Sequence, residues 1–114
     1  MPCTDPRDVT RLDEAFDLTT TDIHQWELEL IWTAEDRGEL RISSHARRAA
    51  DDDSIPDAAI MRVVRQGVPR SKDITRETRR QIGINFEGKR RRGGWLRAKV
   101  GWLDRYIVAT VHAL

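Results

Sequence analysis

Cysteine is nearly missing from these 114 residues: Cys3 is the only one. An internal disulfide and a cysteine-rich zinc site are therefore both excluded. Histidine is scarce as well, and His24, His45 and His112 are too scattered along the chain for a zinc motif. Neither a metal nor a cofactor is expected. No uncharged apolar run approaches the roughly 20 residues that a membrane span needs. The first ten residues, MPCTDPRDVT, lack the apolar core of a signal peptide. Internal repeats and low-complexity stretches are missing too. Together these absences predict a soluble, cytoplasmic protein without a membrane partner, unless it is the excised tip of a larger secreted protein.

What the chain does have is charge. Asp, Glu, Lys and Arg make up 34% of it, against a norm of roughly 25%. Hydrophobic residues make up 39%, enough for one ordinary core and too much for wholesale disorder. The length fits a single domain. The formal net charge of +1 hides a division. Residues 1–60 hold 15 acids and 6 bases, a net of −9, and residues 61–114 hold 4 acids and 14 bases, a net of +10. Either the two halves complement each other inside one fold, or the second presents a basic face to an acidic partner such as nucleic acid.

Apolar spacing divides the chain in the same way. Val9, Leu12, Ala15 and Phe16 predict a short helix within residues 1–18. Asp22 and Gln25 resemble a capping pair for a second helix from Ile23 to Arg37. That helix carries a stripe of Ile23, Trp26, Leu30 and Ala34, widened by Leu28, Ile31 and Trp32. Its two tryptophans read as core anchors, and Gly38 ends it. Ser43 and Ser44 can cap a helix from His45 to about Asp52. Pro56 suits the first position of another, which buries Ile60, Val63 and Val64 and closes at Gly67.

After Gly67 the period becomes two. Val68 to Thr75 predicts a ragged strand, confined to an edge by Pro69. Ile82, Ile84 and Phe86 alternate with polar or small residues, as do Leu96, Ala98, Val100 and Trp102. In the final strand, Ile107, Ala109 and Val111 are assigned to one face and Tyr106, Val108, Thr110 and His112 to the other. Tight turns at 89–94 and 103–105 predict an antiparallel meander. The fold class is α+β: N-terminal helices packed on a C-terminal antiparallel sheet of three or four strands. Residues 1–41 read as an acidic helical extension and residues 42–114 as the body, within one domain.

Ser44-His45-Ala46-Arg47 introduces a resemblance. Ile55 follows His45 by ten positions, Gly67 follows Ile55 by twelve, and the chain's last strand contains Ala109-Thr110-Val111-His112. Over residues 42–114 this pattern resembles a small bacterial family of unassigned function, related to the RelE/ParE and BrnT toxins and to the wider barnase/EndoU/colicin group of ribonucleases. The resemblance implies a RelE-like fold and a toxin-like ribonuclease of a toxin–antitoxin or toxin–immunity system. RNA, free or on the ribosome, would be the substrate, and an antitoxin or immunity protein the partner. Ala49 and Asp53 stand where the family often has arginines.

Metal-independent RNA cleavage uses the 2′-hydroxyl of the RNA as nucleophile. It needs a proton acceptor and donor near neutral pH and cations for the crowded phosphorane. The candidate catalytic residues are His45, Thr110, His112, Arg79 and Lys99. Arg80, Lys89, Arg90, Arg91, Arg92 and Arg97 are candidates for holding nucleic acid. Thr110 and His112 share a strand face, as do Arg97 and Lys99. If the two faces coincide, the four form a patch; otherwise they are ordinary solvated surface. His45 reads either as a helix-start residue packed on the sheet or as a phosphate contact. Lys89 to Arg92 forms a basic hairpin tip between glycines, able to reach phosphates or simply to keep the protein soluble. Trp95 beside it can stack on a base or cover the sheet.

Two other readings compete with the ribonuclease. One is a non-enzymatic module that uses the basic sheet to bind nucleic acid or protein. The other is an inhibitor or immunity protein whose acidic N-terminal half mimics nucleic acid. The apolar face of the 23–37 helix must be covered, by residues 42–114 or by a second copy in a homodimer.

Overall fold

The computed structural model describes residues 16–74, 82–90, 94–102 and 106–114, apart from the side chains at 102, 106, 107 and 109. The expected helix within 1–18 falls almost wholly outside these residues, as do the turn at 103–105 and Arg79, Arg80, Arg91 and Arg92.

The architecture is α+β. Among the described residues, three helices, α1 (Gln25–Asp36), α2 (Ser44–Asp52) and α3 (Asp57–Gln66), precede a meander of β2 (Val68–Asp73), β3 (Gly83–Lys89), β4 (Trp95–Trp102) and β5 (Tyr106–Ala113). A two-residue strand, β1 (Arg41–Ile42), adds parallel to the outer edge of β5, giving the order β1-β5-β4-β3-β2. The sequence pattern did not predict β1, because two residues are too short to show a period.

The helices start and stop for identifiable reasons. The capping pair of α1 is His24 and Glu27, not Asp22 and Gln25: Glu27 Oε1 accepts from the His24 N–H at 2.9 Å. At the other end Gly38, with φ +69°, closes a Schellman turn in which the Glu39 N–H donates to Ala34 O. Ser43 caps α2 by accepting from the Ala46 N–H at 3.0 Å. Pro56 is the N-cap residue of α3, one place earlier than expected. Its backbone is extended there, and helical geometry begins at Asp57.

One core holds the two layers together. Ile31 of α1, Ala46 of α2, and Ile60 and Val64 of α3 meet Ile84, Phe86, Leu96, Ala98, Val100, Val108 and Val111 of the sheet, all essentially inaccessible. Two assignments of faces need correction. The buried stripe of α1 is Glu27, Leu28, Ile31 and Ala34, while Trp26 is 44% exposed. Trp26 stacks on His24 and Phe16 at the helix start instead of anchoring the core. Trp32 does act as an anchor, its indole N–H donating to Val64 O at 3.0 Å. In β5, Val108 is buried with Val111, on the face opposite Thr110. Lys99 pairs with Thr110 but Val100 pairs with Val108, so β5 carries one extra residue, a β-bulge at Ala109.

A carboxylate in the α1 stripe has to be neutralised, and it is. Lys72 of β2 reaches Glu27 at 2.9 Å with both side chains fully enclosed, and also donates to Asp22 O at 2.9 Å. This pair ties the start of α1 to the edge strand. Asp17 lies just outside it. The Thr19 hydroxyl and N–H and the His24 ring all bond the Asp17 carboxylate, holding it well below the usual carboxylate range.

Candidate nucleic-acid interface

The sheet has one face against the helices and one turned away from them. Strand register places the predicted patch on the second. Arg97 pairs with His112, and Lys99 with Thr110, across β4 and β5. On the other side Arg97 pairs with Glu87, and Lys99 with Asn85, across β3 and β4. The two pairs of residues do share a face, so a row Glu87–Arg97–His112 runs beside a row Asn85–Lys99–Thr110.

That face contains its own counter-charges. Arg97 donates to Glu87 Oε2 from Nε and Nη2 at 3.3 and 3.1 Å. Arg70 approaches the same carboxylate at 3.9 Å. Lys99 is buried, only 7% exposed, and its Nζ lies 2.7 Å from Asp73 Oδ2. Asp73 in turn accepts from the Asn85 amide at 3.2 Å. Both predicted strand cations are thus already paired with acids. His112 is exposed and Thr110 half-buried.

His45 lies elsewhere. It is the second residue of α2, exposed, in the layer that packs Ala46 and Ala50 on the opposite side of the sheet. No hydrogen bond or ion pair joins it to Thr110, Lys99 or His112 among the described residues.

A different set of cations converges at the hairpin end of the sheet. Ser54, Pro56, Ala58, Ala59, Arg62, Lys89 and Arg90 line a cleft of about 660 Å³ between the start of α3 and the end of β3. The Arg90 N–H donates to Gly94 O at 3.0 Å and closes the base of the basic tip. Gly88 and Gly67 let β3 and the end of α3 approach this closely. A Cβ at Gly67 would lie 2.7 Å from Glu87 O, and one at Gly88 3.1 Å from Val63 Cγ2. Arg62 and Lys89 are exposed and Arg90 half-buried. None of the three forms an ion pair with a described residue. The acid at the start of α3, Asp57, is engaged by Arg47 at 2.9 and 3.0 Å.

Sequence reasoning named Lys89 and Arg90 but missed Arg62 and both counter-acids. The signals were present. Ile60, Val63 and Val64 face inward, which leaves position 62 pointing out. Glu87 alternates with Ile84 and Phe86 and must share the face of its cross-strand partner.

Among the described residues, no group of three His, Cys, Asp or Glu side chains is arranged to hold a metal ion, and no helix is long and apolar enough to cross a membrane. No protein-family model matches the chain, and no curated protein or solved structure was found to be similar to it.

Proposed function

We propose that the chain binds nucleic-acid phosphates through Arg62, Lys89 and Arg90 at the hairpin end of the sheet. The observation that carries this reading is their convergence on one cleft with no acid among the described residues engaging them. A free cation exchanges water and counter-ions for a phosphate, whereas a cation already bonded to a carboxylate must first give up that partner. Arg91 and Arg92, next in sequence after Arg90, extend the positive run. Such a site is blind to sequence and weakens with salt.

Binding of the full chain to a labelled 20-nucleotide RNA, followed by anisotropy as KCl is raised, tests this. Three phosphate contacts predict a log–log slope of about −2 or steeper. No binding at low salt would overturn the reading.

A toxin-like ribonuclease is the second reading, favoured by the register that sets His112 and Thr110 beside Arg97 and Lys99 on one face. His112 would take the 2′-hydroxyl proton and return it to the leaving oxygen, with Thr110 orienting the phosphate. Induced expression should then arrest growth, and His112→Ala should relieve the arrest. Growth arrest that persists in His112→Ala, or RNA left intact by the purified chain, would count against it.

A further inference from the structure

We propose that the nucleic acid is single-stranded and that Trp95 is the platform on which one of its bases stacks; this rests on the phosphate-binding reading above. Trp95 opens β4 and is 46% exposed. Its cross-strand partner is Lys89, a cation of the cleft. Directly paired residues in an antiparallel sheet stand about 5 Å apart, so a phosphate at Lys89 brings the attached base within reach of the indole. The next residue on the same face of β4 is Arg97.

Trp95 differs from Trp26, the other exposed tryptophan among the described side chains. Trp26 is stacked between His24 and Phe16. Trp95 makes no ring contact and no side-chain hydrogen bond with a described residue. A large aromatic held on a rigid strand beside a cation of the cleft, with no ring partner among the described residues, matches what an unpaired base requires. A duplex keeps its bases stacked on one another and offers no free ring face.

An apolar protein partner fits less well. Of the other exposed hydrophobics on this side, Val68 sits on β2, with β3 and its Glu87 between it and β4. Among the described residues, Leu114 is the exposed hydrophobic that neighbours Trp95 across the strands, its N–H donating to Trp95 O at 2.8 Å. Among the described side chains, one tryptophan and one leucine do not make the contiguous patch that a protein interface needs.

The test uses the full chain with two RNA probes of equal charge, an unstructured oligouridylate and a closed duplex hairpin, and compares the wild type with Trp95→Ala and Trp95→Phe. The single strand should bind more tightly than the duplex. Trp95→Ala should weaken single-strand binding by about 5- to 100-fold and leave duplex binding and both salt slopes unchanged. Trp95→Phe should keep most of the affinity. Equal affinity for the two probes, unaffected by Trp95→Ala, would overturn single-strand stacking and leave phosphate binding intact. Failure of the wild type to bind either probe would overturn both.

Discussion

The two basic regions of this sheet carry similar residues and differ in what surrounds them. On the strand face turned away from the helices, Arg97 is held by Glu87 and Lys99 by Asp73. At the hairpin end, Arg62, Lys89 and Arg90 line a cleft, and no acid among the described residues is bonded to them. The net charge of residues 61–114 counts all five alike. What decides whether a cation is available to a ligand is whether the fold sets an acid beside it: Glu87 lies directly across the strand from Arg97, and Asp73 reaches Lys99 from two strands away. The enclosed Lys72–Glu27 pair is the extreme case of the first kind: a lysine wholly committed to structure.

The largest expected effect comes from breaking that extreme. Glu27→Ala would leave the Lys72 ammonium enclosed with only Asp22 O as a described partner. Stability in denaturant titrations should fall by about 3–5 kcal/mol. Replacing both residues with apolar ones, Glu27→Leu with Lys72→Met, should recover most of that loss, because the penalty lies in the unpaired charge more than in the missing pair.

A second variant converts one region toward the other. Glu87→Gln keeps the shape of the side chain and removes the charge that holds Arg97 and Arg70. RNA affinity should rise and the log–log salt slope steepen by about 0.7 for each arginine released. An unchanged slope would mean that these arginines cannot reach phosphate even when free.

Ser54, at the rim of the cleft, offers a smaller effect. Its φ of 56° places a serine in the left-handed position that ends α2, with the Ile55 N–H donating to Ala50 O. Ser54→Gly should stabilise the fold by about 0.5 kcal/mol without changing RNA affinity. A loss of affinity would show that the Ser54 side chain takes part in binding.

Asp17 should show the mildest effect, and its sign follows from the pKa. Because its carboxyl titrates below the unfolded value of about 3.9, its stabilising contribution is complete above that pH and is lost as acid titrates the folded form. The difference in melting temperature between wild type and Asp17→Asn should shrink as the pH falls below roughly 4.

The layers of this fold were legible because their signals are local. The period of 3.6 in Ile60, Val63 and Val64 and the period of two in Leu96, Ala98 and Val100 each follow from burial of one face. The errors lie where distant residues intervene. Glu27 has no place in an apolar stripe read from spacing, and only Lys72, 45 residues later, makes its burial tolerable. Val108 changed faces because of a bulge that no alternation reveals. Strand parity did place Thr110 with His112 and Arg97 with Lys99 on a common face. It could not show that Glu87 and Asp73 were already bonded to the cations, or that Arg62 would join Lys89 from another layer.

The most direct measurement compares salt slopes for RNA binding in two variants of the full chain, Arg62→Ala/Lys89→Ala/Arg90→Ala and Arg97→Ala. The triple replacement should flatten the slope by about 2, and Arg97→Ala should leave it near the wild-type value. A slope that Arg97→Ala flattens and the triple variant leaves unchanged would contradict the account.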